Sequence, residues 1–207
     1  MTENTPKSAG RGRPRKFDKD TVLELIVKVF WARGYSGTSL DDLASATGLS
    51  RPSLYAAYGN KLSMYLAALE VFGQRMATEA VGALATGPDL HSGLCNFYEA
   101  ALDIYLGKEN EMAQGCLVFT TAVTEATNEP EIKTMLQAQL AGMDQAVKAH
   151  IANRAPHADP AAVSAAAELA AGTLLNLATR ARAGTPRKRL NEAARATADA
   201  VTALTRP

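Results

Sequence analysis

Four side chains able to donate hydrogen bonds to nucleic acid lie within six consecutive residues of this sequence. Ser50, Arg51, Ser53 and Tyr55 combine three hydroxyl groups with one guanidinium group. Hydroxyl groups commonly bond phosphate oxygens, and an arginine can hold a guanine edge or a phosphate through two parallel bonds. If these residues share the outer side of one helix, their spacing predicts contact with DNA.

The surrounding residues predict two short helices joined by a glycine turn. Apolar residues recur at helical spacing over residues 40–44, and either Thr38 or Ser39 can cap this first helix. Gly48 suits the left-handed residue that ends a helix, and Pro52 is tolerated in the first turn of the next one. This arrangement is typical of a helix-turn-helix, whose second helix lies in the major groove of DNA.

A basic segment precedes these helices. Residues 10–16 read GRGRPRK and include Arg13, Arg15 and Lys16. The first 61 residues hold ten basic and six acidic side chains, although the formal net charge of the whole chain is only +1. The segment is either a solvated tail or an arm that follows the phosphates or enters the minor groove. Beside a helix-turn-helix, the second interpretation is favoured.

Residues 18 to 66 resemble the N-terminal domain of the TetR (tetracycline-repressor) family of transcriptional regulators. The resemblance rests on positions spread over the whole region: Phe30, Gly34, Tyr35, Thr38, Ser39, Leu43, Ala44, Gly48, Leu49, Ser50, Leu54, Tyr55, Tyr58 and Lys61. Ala57, Tyr58 and Leu62 depart from the usual pattern, because the family often has His, Phe and Glu there. Together with the four donors above, the predicted DNA contacts include Thr38, Ser39, Tyr58 and Lys61.

The resemblance implies an all-α protein of about nine helices, and a composition rich in Ala and Leu favours the same fold class. We expect a basic arm over residues 1–16, a three-helix DNA-binding domain over 17–62, and a helical ligand-binding and dimerisation domain over 63–207. Periodicity and breaks at glycine or proline place the helices outside the helix-turn-helix at about 18–33, 60 to the low eighties, 89–106, 113–127, 130–153, 161–183 and 187–204.

Several apolar residues of the body are candidates for the wall of a hydrophobic ligand pocket. They are Phe97, Tyr98, Tyr105, Cys116 and Phe119. The alternative is ordinary core, since helical spacing does not separate the two. Cys116 belongs to a GCL stretch that resembles one in the ligand-binding body of many TetR regulators. No lysine or arginine lies within several residues of it, so a buried packing cysteine is favoured over a reactive thiol.

The last two helices are the predicted dimer surface. Small side chains allow two helices to approach closely, and the family resemblance favours a homodimer over packing within one chain. The predicted interface residues are Ala166, Ala167, Ala170, Ala171, Leu174, Leu175, Ala194, Ala198 and Val201.

Other classes of site find little support in the residues. Cys95, Cys116 and the three histidines show no metal-ligand spacing, no cofactor is expected, and no apolar run approaches membrane-spanning length. We therefore expect a cytoplasmic repressor that binds a palindromic operator as a homodimer and is released by a small-molecule effector. The alternatives are a redox-sensing regulator that uses Cys116 or Cys95, and a helical enzyme or effector-free architectural DNA binder.

Overall fold

The computed structural model describes residues 18–107 and 114–206, and every regular element in those ranges is helical. The helices are α1 (Lys19–Arg33), α2 (Leu40–Thr47), α3 (Arg51–Tyr58), α4 (Lys61–Arg75), α5 (Leu90–Leu106), α6 (Val123–Glu125), α7 (Pro130–Arg154), α8 (Pro160–Arg182) and α9 (Arg187–Leu204). A π-helical turn at Met76–Val81 continues α4, a second at Val118–Ala122 leads into α6, and a 3₁₀ turn covers Leu84–Thr86. The predicted all-α fold is confirmed.

Local sequence signals set the ends of the first helices. The Asp18 carboxylate accepts a hydrogen bond from the Asp20 N–H at the start of α1. Ser39, one of the two candidate caps, begins α2 through a reciprocal capping box with Asp42. Gly48 ends α2 in the left-handed conformation, with a φ of 69°. The helix-turn-helix forms from α2 and α3, as the sequence predicts.

A shared apolar core holds the head, formed by α1 to α3, against α4. Phe30 of α1, Leu43 of α2, Leu54 of α3 and Tyr65 of α4 are fully buried. The rings of Phe30 and Tyr65 meet edge to face with their centroids 5.0 Å apart. Burying side chains of this size contributes about 1.5–3 kcal/mol each. The inner side of α3 is therefore fixed by packing.

α4 belongs to both halves of the molecule. It packs on α1 in the head, and the π turn that continues it packs on α5 in the body. The long helix predicted into the low eighties continues to Ala83, with regular α geometry to Arg75 and a π-helical turn at Met76–Val81. Gly87 closes the connection to α5, where a Cβ atom would lie 2.3 Å from the backbone nitrogen of Gly93. Only glycine permits this close approach.

α8 is the central helix of the body and packs on α5, α7 and α9. By length and composition alone it could cross a membrane, which corrects the expectation that no segment reaches that length. Ala166, Ala170 and Leu174 of α8 are fully buried within the chain. Contacts with three neighbouring helices give it the environment of a core helix in a folded domain.

Candidate DNA-binding surface and ligand cavity

Helix α3 carries predicted DNA contacts on its exposed side. Arg51 and Tyr55 are both exposed, and 47% of the Tyr55 surface is accessible, a large fraction for an aromatic residue. Leu54 is fully buried. A guanidinium and a phenol side by side at the surface can donate to phosphates or to base edges.

Asp41 of α2 holds the Arg51 guanidinium. The Arg51 Nε donates to one carboxylate oxygen of Asp41 over 2.6 Å, and a terminal nitrogen donates to the other oxygen. This contact raises the pKa of Arg51. The N–H donors of the other edge of the guanidinium remain for a further acceptor. Asp41 thus orients Arg51 without using up its capacity to bind.

Three predicted contacts are serines at helix starts, and two of them, Ser39 and Ser50, are the N-caps of α2 and α3. The Ser39 hydroxyl donates to the Asp42 carboxylate over 2.6 Å and accepts from the Asp42 N–H. The Ser50 hydroxyl accepts from the Ser53 N–H and lies 2.9 Å from the Ser53 hydroxyl. Helix N-termini favour anions such as phosphate. DNA contact by these serines stays a prediction.

Two predicted contacts make hydrogen bonds within the head. Thr38 is 2% exposed, and its hydroxyl donates to the Gly34 carbonyl over 2.6 Å. The Lys61 ammonium donates to the Tyr35 and Thr38 carbonyls, each over 3.1 Å, and lies 4.3 Å from the centre of the Tyr35 ring. These bonds hold the α1–α2 connection. They reassign the buried Thr38 to the interior, whereas a DNA contact by the half-buried Lys61 stays a prediction.

Tyr58, the last residue of α3, is half-buried. Its hydroxyl donates to the Lys19 carbonyl over 2.8 Å and joins the end of α3 to the start of α1. A DNA contact by Tyr58 stays a prediction. The predicted arm residues Arg13, Arg15 and Lys16 lie outside the described residues.

A cavity of about 250 Å³ lies in the body between the end of α4, its π turn, α7 and residues 116–119. None of the residues that line it carries a charge. Two predicted pocket residues, Cys116 and Phe119, lie in its wall. They are joined there by Met76, Val81, Gln139 and Met143.

The other three predicted pocket residues are core, which corrects their assignment. Phe97, Tyr98 and Tyr105 of α5 are fully buried and do not line the cavity. The Tyr98 hydroxyl donates to the Ala170 carbonyl over 3.0 Å and so ties α5 to α8. Helical spacing marks residues that point inward, but it carries no information on the space left beside them.

Both cysteines have unreactive environments. Cys116 is 1% exposed, and burial raises the pKa of its thiol to about 12. Burial also raises the pKa of Cys95. Since the thiolate is the reactive form, neither site supports the redox alternative. Within residues 18–107 and 114–206, His, Cys, Asp and Glu side chains form no group of three that could hold a metal ion.

Residues 115–125, called the junction segment below, connect the cavity wall to the head. The indole N–H of Trp31, near the end of α1, donates to the Gly115 carbonyl over 2.9 Å. The hydroxyl oxygens of Tyr65 in α4 and Thr121 lie 2.6 Å apart. The segment that lines the cavity is therefore bonded to two helices of the head region.

Arg182, at the end of α8, adds a further tie. Its guanidinium donates to the carbonyls of Trp31 and Ala32 over 3.1 and 3.2 Å, and to that of Gln114 over 3.0 Å. The first two carbonyls end α1, where the helix dipole favours a positive charge. One side chain thus joins α8, α1 and the residue before the junction segment.

Most of the predicted dimer residues are buried within a single chain, which corrects that assignment. Eight of them are at most 6% exposed: Ala166, Ala167, Ala170, Ala171, Leu174, Ala194, Ala198 and Val201. They lie on α8 and α9, which pack on each other and on α5. Only Leu175, at 41% exposure, is available to a partner. The exposed apolar residues Leu169 and Leu204 lie on the same two helices.

Comparison with known proteins identifies the class of this chain. The family model of bacterial regulatory proteins, tetR family, matches residues 22–68. The HTH-type transcriptional repressor ComR of Escherichia coli K12 is 30% identical over 156 residues, which cover 72% of this chain and 73% of ComR. The chain belongs to the TetR family.

Two further proteins match over much of the chain. The HTH-type transcriptional activator FasR of Mycolicibacterium smegmatis is 29% identical over 148 residues, or 68% of this chain and 66% of FasR. A solved cysteine mutant of the TetR-family regulator CifR, in complex with 26-base-pair operator DNA, matches with a TM-score of 0.81 at 27% identity. That match covers 91% of this chain and 99% of CifR. This TetR-family chain is a DNA-binding transcriptional regulator and not an enzyme.

Sequence reasoning missed several residues that this TetR-family structure brings to the site. Asp41 is not among the predicted contacts, although it binds Arg51, which lies ten residues further along the chain. An acidic residue at the start of α2 and a basic one at the start of α3 were a usable signal. Arg182 and Thr121 carry no local signal, because their partners lie far away in the chain.

Proposed function

We propose that this chain is a ligand-responsive repressor, which binds a palindromic operator as a homodimer and leaves it when a small molecule fills the body cavity. The junction segment carries this proposal. It contributes Cys116 and Phe119 to the cavity wall and bonds to Trp31 and Tyr65 on its other side. A ligand that shifts the wall therefore acts on the helices that support α3.

The exposed side of α3 supports the DNA half of the proposal. α3 would enter the major groove, with Arg51 and Tyr55 facing the DNA. The serine caps would lie near phosphates, and the arm residues Arg13, Arg15 and Lys16 would follow the backbone or enter the minor groove. The CifR structure, at 27% identity to this chain, contains operator DNA.

Exposed apolar residues of the last two helices support a homodimer. Leu169 and Leu175 of α8 are 40% and 41% exposed, and Leu204 of α9 is 46% exposed. A two-fold axis through this face would pair each helix with its copy. The two α3 helices would then reach successive major grooves, roughly 34–36 Å apart.

Ligand control follows from linkage. A ligand weakens DNA binding only if it prefers a body shape in which the two α3 helices have a different spacing. Coupling of this kind typically amounts to about 1–3 kcal/mol, or roughly 5–150-fold in affinity. Repression is proposed because ComR, at 30% identity, is named a repressor, although FasR, at 29%, is named an activator. A regulator of chromosomal DNA would act in the cytoplasm.

A footprint on the DNA that flanks the gene for this chain tests the proposal. We expect a protected inverted repeat, which disappears when one member of a metabolite panel is added. The Tyr55→Ala variant serves as the control, since it should lose protection while keeping its fold. A transcription assay on the same DNA separates repression from activation. Absence of a protected site, or a site unaffected by every compound that binds the chain, would contradict the proposal.

A further inference from the structure

We infer that the body cavity takes an uncharged, mostly apolar molecule of about the size of one substituted ring. This molecule carries one hydrogen-bond donor, which donates to the amide oxygen of Gln139. The inference rests on the proposed function, because this occupant is the effector only if filling the cavity changes DNA binding. The charge, the volume and the one amide of the cavity wall each point to this class of ligand.

The cavity wall offers no partner to an ion. Met76, Val81, Phe119 and Met143 are typical of its lining, and none of the lining residues is charged. Burying an isolated carboxylate or ammonium among such groups is strongly unfavourable. Cys116 supplies no negative charge, because burial raises the pKa of its thiol to about 12. A neutral molecule therefore enters at the lowest cost.

A second cavity beside the first disfavours anions further. It has a volume of about 230 Å³, lies between α7 and α8, and shares Phe119 and Met143 with the first cavity. Its wall includes the carboxylates of Asp144 and Glu168. Negative charge beside the cavity repels an anionic ligand and attracts a cationic one. The expected order of affinity is neutral, then cationic, then anionic.

The volume sets the size of the ligand. An apolar cavity of about 150 Å³ in another protein stays dry and binds benzene. The cavity of about 250 Å³ found here has room for one ring with substituents or for a compact bicycle. Larger polycyclic molecules would need the wall to move.

Gln139 supplies the one side-chain amide of the cavity wall. Its Nε2 donates to the Leu69 carbonyl over 2.9 Å, and Gly73 makes room for the amide, since a Cβ atom there would lie 2.8 Å from Nε2. No hydrogen bond joins Oε1 to any of the described residues. With the nitrogen used, Oε1 is the available acceptor, and it matches a ligand hydroxyl or N–H.

Three probes of nearly equal size test the charge preference at pH 7: benzyl alcohol is neutral, benzylamine is a cation and benzoate is an anion. Binding to the full chain is measured by calorimetry and by the shift in melting temperature. We expect benzyl alcohol to bind at least tenfold more tightly than benzylamine, with benzoate weakest. Equal affinities, tighter binding of either ion, or no binding of benzyl alcohol would overturn the inference.

Two substitutions locate the probe. A Cβ atom at Gly142, in the cavity wall, would meet no atom within 4 Å. The Gly142→Leu side chain can therefore occupy cavity volume without a clash at its Cβ atom. It should weaken benzyl alcohol binding at least tenfold. Gly82→Leu is the matched control, because Gly82 is also helical and unobstructed but lies outside the cavity. Equal binding by both variants would show that the probe lies elsewhere and would overturn the assignment.

The polar contact has its own test. Gln139→Leu should remove the preference for benzyl alcohol over toluene and leave toluene binding intact. A preference that survives this change would overturn the role of Gln139.

Operator binding separates the two proposals. If benzyl alcohol binds as described but never changes operator affinity, the proposed function fails and the ligand class stands. If only ions release the operator, the ligand class fails and the proposed function stands.

Discussion

Tyr65 donates its hydroxyl hydrogen to Thr121, with the two oxygens 2.6 Å apart. The direction of this bond follows because the Thr121 hydroxyl donates its own hydrogen to the Leu117 carbonyl. Both side chains are buried. The bond therefore joins α4, which supports the head, to the segment that forms the cavity wall, and under the proposed function it is one of the links between ligand and head.

Tyr65→Phe should remove this link while keeping the ring. We expect a loss of about 1 kcal/mol in the free energy of unfolding, the usual net value of one hydrogen bond. Ligand affinity should stay at the wild-type level, and the ligand should have less effect on operator affinity. Urea unfolding and operator titrations with and without ligand measure these effects. A full wild-type ligand response in this variant would exclude the bond as the link.

Arg51→Ala should weaken operator binding by about 1–3 kcal/mol and random-DNA binding much less, as expected for a guanidinium that holds a base edge.

Asp41→Asn should have a different effect from Arg51→Ala. It removes a negative charge near the DNA and releases Arg51, so affinity for random DNA should rise while discrimination falls. Fluorescence anisotropy with an operator duplex and a random duplex measures the ratio of the two affinities for each variant. Equal losses on both duplexes in Arg51→Ala would make Arg51 a phosphate contact.

Lys61→Met should destabilise the head, because it removes the ammonium that bonds the Tyr35 and Thr38 carbonyls. Hydrogen bonds from a charged group are worth about 1.5–3 kcal/mol. Operator affinity should fall with stability, whereas the slope of affinity against salt concentration should not change. If stability is unchanged and the slope is flatter by about one phosphate contact, Lys61 faces DNA as the sequence predicted.

Leu175→Glu should separate the proposed dimer without unfolding the chain, since Leu175 is 41% exposed. Light scattering should show a monomer that keeps a near-wild-type melting temperature but has lost operator affinity. Ala170→Glu provides the contrast. Ala170 is fully buried, so its replacement places an unpaired charge in the core and should abolish folding. A dimeric Leu175→Glu variant would exclude this face as the interface.

Stability should fall steeply above about pH 9. Burial raises the pKa of Cys116 and of Tyr65 to about 12 and also raises that of Tyr98. In the unfolded chain a thiol and a phenol titrate near pH 8.5 and 10, so above those values the unfolded state binds fewer protons than the folded state. Each group then lowers the free energy of unfolding by up to about 1.4 kcal/mol per pH unit.

Cys116→Ala should make this alkaline slope shallower, by one such group between about pH 9 and 12. Urea unfolding at successive pH values measures the slope. Cys95→Ala, at a partly exposed position, should change it less. If the slope of Cys116→Ala equals that of the wild type, the thiol is already ionised or exposed in the folded protein.

Local signals explain which parts of this structure were predictable. The Ser39 cap, Gly48 and the buried Leu54 follow from short-range rules, so the helix-turn-helix could be predicted from sequence. The partners of apolar helices could not. Ala170 and Leu174 were assigned to a dimer partner, but α5, α7 and α9 cover α8 within one chain. The pattern of a helix shows that a face is covered and not which element covers it.

The same limit applies to the polar residues of the site. Lys61 matches the family pattern, but its bonds to Tyr35 and Thr38 depend on how the α1–α2 connection folds back onto α4. The ties of Arg182 to Trp31 and Ala32 span about 150 residues of sequence. Such contacts are set by tertiary packing, and no spacing rule predicts them.

Selection of binding sites from a random library of duplex DNA, with the 207-residue chain as bait, tests the central claim most directly. The account predicts enrichment of an inverted repeat whose half-site centres lie about 10 base pairs apart. It also predicts that Arg51→Ala relaxes one position in each half-site. Enrichment of no motif, or of a single motif without two-fold symmetry, would contradict a homodimeric repressor that reads DNA through α3.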